Sequence, residues 1–271
     1  MKNHIHKLIV LIVILLIANI PVLSSVPDFR YGDLKIIKEK TFPTVEGKTV
    51  FVKVSGGDVL LSSWDKNEVY VKILGNDNAE EKLEFELNST DDGVEIISRK
   101  KDSGMSWFHN IKLRVEIKVP GKYNSDINTS GGDISYSGIN GSAKLNTSGG
   151  DVEGKNFAGR LDVSTSGGDI SLNGKDTEID AHTSGGDIDL HYSGTNMGID
   201  LSTSGGDITV KVPEDFNASM ELSTSGGDIS CSHKMSNVTK MSHSKLIADL
   251  NNGGKKLSAH TSGGDVEILS K

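Results

Sequence analysis

The chain has 271 residues, of which 35% are hydrophobic and 5% aromatic, and its formal net charge at pH 7 is −8. The acidic balance argues against nucleic acid as a partner, because phosphate binding requires a basic face. With one cysteine in the whole sequence, no internal disulfide can form.

Residues 1–25 are predicted to direct export. Lys2 and Lys7 precede an apolar run over residues 8–20, and the small pair Ser24-Ser25 follows it. A positive start, an apolar core of about 7–15 residues and small residues after it describe a secretory signal peptide. An uncleaved N-terminal anchor is the alternative, although the run is short of the roughly 20 residues that span a membrane. We therefore expect the remaining chain to be extracytoplasmic, either secreted or membrane-anchored.

Residues 26–120 are predicted to form an N-terminal β cap. Apolar and polar residues alternate over positions 69–73, 83–87, 94–97 and 111–119. A period of two is typical of strands with one buried face. Since no glycine corner separates these stretches, we expect a wider sheet or longer coils here than in the rest of the chain.

A basic and aromatic segment joins two of these predicted strands. It is locally basic in an acidic protein and carries one of only two tryptophans. Such loops suit a membrane interface or a protein partner, and the alternative is that the aromatic pair folds back to close the end of the domain. The candidate residues are Arg99, Lys100, Lys101, Trp107 and Phe108.

The rest of the chain, residues 121–271, is dominated by a repeated tetrapeptide. Ser-Gly-Gly-Asp occurs eight times in the sequence, and from Ser130 to Ser225 successive copies begin 18 to 21 residues apart. A unit this short cannot fold alone and is typical of a solenoid in which each copy is one coil stacked on the next. The copies begin at Ser55, Ser130, Ser148, Ser166, Ser184, Ser204, Ser225 and Ser262.

Apolar residues alternate with polar ones on both sides of each tetrapeptide. Ile179 and Ala181 precede the copy at Ser184, and Ile188 and Leu190 follow it. Each coil therefore has at least two strands with an inward apolar face. The predicted fold is all-β: a single-stranded parallel β-solenoid (β-helix) of about 18–21 residues per coil, with the N-terminal β cap.

The glycines of each tetrapeptide are predicted to be structural corners, because glycine accepts positive φ angles that a side chain penalises. The threonine before seven of the eight copies has the parity of the inward positions. We expect its hydroxyl to hydrogen-bond along the stack or to the corner backbone. The predicted corner glycines are Gly131, Gly132, Gly149, Gly150, Gly167, Gly168, Gly185, Gly186, Gly205, Gly206, Gly226 and Gly227.

One interval between copies is long enough to contain an additional coil. Ser225 and Ser262 are 37 residues apart, which is close to two coils. The segment from Ser242 to Lys245 fits the frame of a degenerate corner. We therefore expect a hidden coil in this interval.

The aspartates of the tetrapeptides should stack into a row of carboxylates along one edge. Two unit charges about 4.8 Å apart repel by roughly 0.9 kcal/mol in water, so the row needs solvation, backbone donors or cations. Each carboxylate either accepts hydrogen bonds from its own corner or contributes to a row of weak Ca²⁺ sites, and no other cofactor or metal is assigned. The candidate cation ladder is Asp133, Asp151, Asp169, Asp187, Asp207 and Asp228.

No sequence motif predicts catalysis. His182 and His260 occupy the same outward place in their repeats, but on copies far apart, and no metal-ligand spacing such as His-Glu-x-x-His is present. Cys231 takes the place of Leu172 and Leu190 in other copies, which predicts a small core residue. Since the acidic residues follow the repeat and do not form a local cluster, no catalytic residue is assigned and no enzyme activity is expected.

Two further segments carry a family resemblance. Arg114 to Pro120, a strand ending in Val-Pro, is followed about ten residues later by repeated Thr-Ser-Gly-Gly-Asp-Ile, and Val52 to Val59 and Trp64-Asp65 precede it. Over roughly residues 45–271 the pattern resembles the bacterial putative adhesin family, a domain of unknown function with β-strand repeats. The resemblance implies an exported or membrane-associated β-solenoid, and it carries over no catalytic residues.

We therefore expect a non-catalytic, exported, adhesin-like module that binds or scaffolds a component of the cell surface or envelope, either protein or glycan. Two alternatives stay open. One is a polysaccharide-active β-helix enzyme, and the other is a divalent-cation-dependent binding protein.

Overall fold

A computed structural model of the protein describes residues 34–101 and 110–271. The predicted signal or anchor at residues 1–25, together with Trp107 and Phe108, lies outside the described residues. The part described is all-β apart from one short helix, α1 (Asp77–Lys82). Its strands are β1 (Lys35–Pro43), β2 (Thr49–Val54), β3 (Asp58–Trp64), β4 (Glu68–Gly75), β5 (Leu83–Thr90), β6 (Gly93–Lys100), β7 (Leu113–Pro120), β8 (Asn124–Thr129), β9 (Ile134–Ser137), β10 (Asn140–Asn146), β11 (Val152–Ser164), β12 (Ile170–His182), β13 (Ile188–Ser193), β14 (Ile199–Ser202), β15 (Ile208–Val212), β16 (Ala218–Ser223), β17 (Ile229–Cys231), β18 (Met235–Ser242), β19 (Lys245–Leu250), β20 (Lys256–His260) and β21 (Val266–Ser270).

The strands pair into two ladders that meet at the repeated corners. We call the strands that lead into a corner ladder A and those that leave it ladder B. The long strands β11 and β12 contribute to both, because their first halves leave one corner and their second halves lead into the next. Ladder A runs β6-β2-β8-β10-β11-β12-β14-β20-β16, and ladder B runs β7-β3-β9-β11-β12-β13-β15-β21-β17.

Within each ladder, equivalent residues of successive repeats are paired in parallel register. In ladder A, Ser125 pairs with Ala143, Ala143 with Leu161, and Leu161 with Ile179. Each step advances by 18 residues, so residues at the same position of successive repeats lie side by side. The inward positions are buried, because alternate residues of a strand point to opposite sides. The counterparts of Ile179 and Ala181 in these strands are apolar, with the exception of the buried Ser125.

Two coils lie at places in the stack that do not follow the order of the chain. The coil of β2 and β3 (Thr49–Trp64) pairs in parallel with β8 and β9 on one side and with β6 and β7 on the other. The coil of β20 and β21 (Lys256–Ser270) lies between β14–β15 and β16–β17. We call these two the inserted coils.

The prediction of a hidden coil between Ser225 and Ser262 is wrong. The segment Ser242 to Lys245 is the turn of a hairpin in which β18 and β19 are antiparallel, and β19 is also antiparallel to β16. The 37-residue spacing arises because the hairpin extends ladder A by two strands, after which the chain returns to form the last inserted coil.

The two ends of the stack are covered differently. At the N-terminal end, β5 adds antiparallel to ladder A, and β4 followed by β1 adds antiparallel to ladder B. Lys38 and Lys40 of β1 donate to carbonyl oxygens of β5, at 2.6 Å from Phe85 O and 3.2 Å from Leu87 O. At the C-terminal end the β18–β19 hairpin extends ladder A alone, and ladder B ends in the three-residue strand β17.

Candidate functional site

Each repeated corner is held to the neighbouring coil by its threonine. The Thr183 hydroxyl donates to the Gly168 carbonyl oxygen of the neighbouring coil at 2.9 Å and accepts from the N–H of its own Gly186 at 3.3 Å. The expectation that these hydroxyls bond along the stack and to the corner backbone is confirmed. The same donation to a neighbouring glycine is made by Thr129, Thr147, Thr165, Thr203, Thr224 and Thr261.

The second glycine of each corner lies directly against the backbone of the next coil. A Cβ on Gly168 would lie 2.0 Å from the Gly150 carbonyl oxygen, whereas a Cβ on Gly167 would approach no atom closer than 3.9 Å. Of the eight corners, only the first has positive φ, at Gly56 (143°) and Gly57 (99°). In the other seven corners close approach, and not positive φ, therefore requires the glycine, and it does so at the second position.

The aspartates form a continuous chain of hydrogen bonds along the stack. One carboxylate oxygen of Asp169 accepts from the backbone N–H of Asp187 at 2.8 Å, and Asp187 accepts from Asp207 at 2.8 Å. Asp207 accepts from Asp265 of the inserted coil at 2.7 Å, and Asp265 in turn accepts from Asp228 at 2.8 Å. These bonds run to the next coil, where the sequence predicted a bond within the same corner. The chain begins at Asp58 and continues through Asp133 and Asp151.

The cation ladder stays a prediction. Within residues 34–101 and 110–271, no three His, Cys, Asp or Glu side chains form a group that could hold a metal ion. The backbone N–H groups supply donors to carboxylates that would otherwise repel. The carboxylates therefore have hydrogen-bond partners without calcium, and calcium binding along the six candidate aspartates would be in addition to these bonds.

The basic segment that begins at the end of β6 is described in part. Arg99 Nη1 lies 3.2 Å from Glu86 Oε1 on the neighbouring strand, and Lys101 Nζ donates to the Glu80 carbonyl oxygen at 2.8 Å. A partner or membrane loop formed by these residues with Trp107 and Phe108 stays a prediction. As for spanning segments, none of the helices in the described ranges has the length and apolar character needed to cross a membrane.

The structure brings together four side chains on the outward side of ladder A that sequence reasoning kept apart. His182 pairs with Ser202, Ser202 with His260, and His260 with Ser223. The prediction that His182 and His260 lie on distant coils is wrong, because the inserted coil places His260 two strands from His182. We call His182, Ser202, His260 and Ser223 the Ser-His row. The alternation in the sequence predicted that these side chains point outward. It did not predict that the coil of β20 and β21 inserts between the other strands and makes them neighbours.

Hydrogen bonds connect the Ser-His row in pairs. His182 Nδ1 lies 2.5 Å from Ser202 Oγ, and His260 Nδ1 lies 2.9 Å from Ser223 Oγ. His182 Nε2 also lies 2.6 Å from Asp180 Oδ1, an ion-pair distance without hydrogen-bond alignment. The order carboxylate, imidazole, hydroxyl matches that of a nucleophilic relay. However, the surrounding backbone N–H groups are used in strand pairing, so the row offers no oxyanion hole and is better suited to hydrogen-bonding a ligand.

One family model matches most of the chain. The family model described as Toastrack DUF4097 matches residues 44–269. The chain belongs to the Toastrack DUF4097 family. The matched range includes all eight corners, the whole inserted coil of β2 and β3, and all of the coil of β20 and β21 except Ser270. No curated protein matches the chain.

Several solved structures are similar to this Toastrack chain at low identity. A putative cell adhesion protein from Clostridium sporogenes is 15% identical, with 88% of this chain and 100% of that chain covered and a TM-score of 0.41. A putative adhesin from Bacteroides fragilis is 16% identical, with 87% and 97% covered and a TM-score of 0.48. A putative lipid binding protein from Parabacteroides distasonis is 14% identical, with 88% and 97% covered and a TM-score of 0.43.

Proposed function

We propose that this Toastrack chain is an exported, single-stranded parallel β-solenoid that serves as a non-catalytic, adhesin-like binding module. Parallel pairing of equivalent residues at 18-residue steps supports the solenoid. Export is proposed from the charge and hydropathy of residues 1–25.

The proposal of a binding function depends on which polar groups the stack itself uses. The threonine hydroxyls and aspartate carboxylates of the corners hydrogen-bond neighbouring coils, so they stabilise the stack. The polar groups that vary from coil to coil lie on the outward sides of the ladders. Among these, the Ser-His row presents hydroxyl and imidazole groups at the strand spacing of about 4.8 Å, and such groups can exchange hydrogen bonds with a hydroxyl-rich polymer. We therefore propose an envelope or surface glycan as the partner.

Binding of the purified full chain to envelope fractions and isolated envelope glycans tests this function. A His182→Ala/His260→Ala double variant should weaken binding, because it removes both imidazoles of the row. His191 lies on the outward side of ladder B, and His191→Ala is the matched control that should bind as wild type does. Equal binding by all three proteins would contradict the Ser-His row as the surface, and no binding by wild type would contradict the function.

An enzymatic role is the second candidate, and the contacts among Asp180, His182 and Ser202 are the observation that favours it. The full chain can be incubated with acidic and ester-substituted polysaccharides, and the products separated by size. We expect no cleavage. If cleavage products form with wild type and are absent with Asp180→Asn or Ser202→Ala, the protein is a hydrolase and the proposal of a non-catalytic binding module is wrong.

A further inference from the structure

The Ser-His row repeats one pair of side chains after two strands. His182 of β12 is followed along ladder A by Ser202 of β14, and their Nδ1 and Oγ atoms lie 2.5 Å apart. His260 of β20 comes next and is followed by Ser223 of β16, and the same two atoms lie 2.9 Å apart. Neighbouring strands are about 4.8 Å apart, so the second pair lies about 9.6 Å from the first along the stack. The row therefore has a period of two strands, although each coil contributes only one strand to it.

Each pair keeps polar groups that a ligand can use. A serine hydroxyl has one donor and two acceptor lone pairs, so one bond to an imidazole leaves part of this capacity free. His260 makes no second hydrogen bond within the described ranges, and its Nε2 is free in either tautomer. At the same outward place on β8 and β10, by contrast, the amides bond each other, because Asn146 Nδ2 donates to Asn128 Oδ1 at 3.1 Å.

Carboxylates flank the row on one side. Asp162, Asp180 and Asp200 stand two residues before the position of the row on β11, β12 and β14, and they pair with one another across the strands. None of the three forms an ion pair with lysine or arginine in the part of the chain that the structure describes. Like charges repel, so a glycan that carries carboxylates is disfavoured on this surface. Neutral sugars and amino sugars are compatible with its charge.

We propose that the Ser-His row binds an extended β-1,4-linked glycan of neutral or amino sugars, with one disaccharide on each Ser-His pair. This inference rests on the glycan-binding function proposed above. In a β-1,4-linked chain successive sugars are inverted, so the same hydroxyl edge recurs once per disaccharide, and that length is close to two strand spacings. The glycan then runs along the stack, across the strands. An α-1,4-linked chain curves and cannot keep equivalent hydroxyls in line with both pairs.

Calorimetric titration of the full chain with oligosaccharides of defined length tests the match. The ligands are the dimer, tetramer and hexamer of β-1,4-linked glucose and of β-1,4-linked N-acetylglucosamine, with the α-1,4-linked glucose oligomers of the same lengths as controls. The β-1,4-linked tetramers engage both pairs and should bind at least about tenfold tighter than the dimers. The hexamers should gain little more, and the α-1,4-linked series should show no such step.

Exchanging histidine and serine within the row tests the period without changing its composition. His260→Ser/Ser223→His places the two imidazoles three strand spacings apart, about 14 Å, and should reduce the tetramer affinity to that of the dimer. Adding His182→Ser/Ser202→His to this variant returns the imidazoles to two strand spacings and should restore the tetramer affinity. Since all four positions point outward, both variants should unfold in urea at the wild-type midpoint.

The charge of the ligand provides a further arm of the test. A tetramer of β-1,4-linked mannuronate keeps the linkage but adds carboxylates, and it should bind more weakly than the N-acetylglucosamine tetramer. The inference is overturned if mannuronate binds as tightly, if the α-1,4-linked tetramer binds as tightly, or if the single exchange keeps the wild-type affinity. Envelope glycans that still bind wild type in those cases leave the binding function standing. Wild type that binds neither envelope glycans nor any oligomer contradicts both proposals.

Discussion

The coils that follow one another in the chain and the C-terminal inserted coil differ in connectivity, but their corners have the same chemistry. In the consecutive coils, Thr183 donates to Gly168 and Asp169 accepts from the Asp187 N–H. In the C-terminal inserted coil, Thr261 donates to Gly206 and the Asp207 carboxylate accepts from the Asp265 N–H. The corner hydrogen bonds therefore form in the same way whether or not two neighbouring coils are consecutive in the chain.

Polymer physics explains why the insertions are tolerated. Doubling the length of a connecting loop costs only about 0.6 kcal/mol in closure entropy. The C-terminal inserted coil gains four strand pairings, two with each neighbour, and two sets of corner hydrogen bonds, one with each neighbour. The same insertion assembles the Ser-His row, so a change in connectivity creates a surface that consecutive stacking would not produce.

The largest effect should come from a methyl group at the second corner glycine. Gly186→Ala in a consecutive coil and Gly264→Ala in the inserted coil would place Cβ 2.1 Å and 2.3 Å from the nearest backbone oxygens. Each should lower the free energy of unfolding by about 3 kcal/mol, the upper part of the range for overpacking, because the obstructing atoms are backbone. Urea unfolding measures this loss.

Gly185→Ala is the control for this pair, since its Cβ would lie 3.6 Å from the nearest atom. A midpoint close to wild type is expected for it. If Gly264→Ala were also close to wild type while Gly186→Ala unfolded early, the inserted coil would not be packed as the consecutive coils are.

The corner threonines should give the next largest effect. Thr183→Val and Thr261→Val keep the size of the side chain but remove the hydroxyl that donates to the neighbouring glycine. Leaving buried backbone groups unpaired should cost about 1–3 kcal/mol in each case. Thr209→Val, which changes an outward position of ladder B, should have little effect in the same denaturation experiment. A loss at Thr209 equal to that at Thr183 would contradict the corner role.

The aspartate chain should show a smaller and salt-dependent effect. Asp169→Ala and Asp207→Ala remove an acceptor from a neighbouring N–H and should each cost about 0.5–1.5 kcal/mol. The corresponding Asn variants keep an acceptor oxygen and reduce like-charge repulsion, so at low salt they should melt near or above wild type.

Calcium provides the second arm of this experiment. A melting temperature that rises with Ca²⁺ in wild type and not in the Asn variants would support the cation ladder, since a ligand of the folded state raises the midpoint. A melting temperature that does not respond to Ca²⁺ leaves the carboxylates as acceptors for backbone N–H groups alone.

The smallest effect concerns the two ion pairs of Glu221, one of which joins the C-terminal inserted coil to β16. Glu221 of β16 bonds Lys256 of β20 at 2.9 Å and Lys245 of β19 at 3.0 Å. The Lys256 and Lys245 ammonium groups lower the pKa of Glu221 from 4.5 to about 2. A lowered carboxyl pKa adds stability above pH 4.5 that is lost as the pH falls toward 2. The charged groups are partly exposed, so Glu221→Gln should lower the free energy of unfolding by about 0.2–1 kcal/mol at pH 7.

The difference in melting temperature between Glu221→Gln and wild type should therefore shrink between pH 4.5 and pH 2. Glu178→Gln, which removes the partner of Arg160 between consecutive coils, is the matched control for a single exposed pair. If the difference in melting temperature between Glu221→Gln and wild type stays constant down to pH 2, the charge of Glu221 does not contribute to stability.

Individual residues show how far sequence reasoning reaches. Alternation around Ile179 and Ile188 predicted buried strands, and the parity of Thr183 predicted its hydrogen bonds, because both depend on local period alone. The role of the second glycine was predicted for the wrong reason, since the distance from Gly168 to the neighbouring Gly150 is set between coils. The neighbours of His182 and His260 were not predictable, because a periodic sequence permits several stacking orders.

The sequence by itself determined the strands, the corners and the inward or outward side of nearly every residue in the repeats, since these follow from a period of two and from a tetrapeptide that recurs. The tertiary structure alone decided the order in which coils stack, the hairpin that replaces a predicted coil, and the neighbours of each outward side chain. The physical reason is that identical corners can pair with one another in any order, so their arrangement depends on which strands cover the ends and which chain segments can reach between two coils.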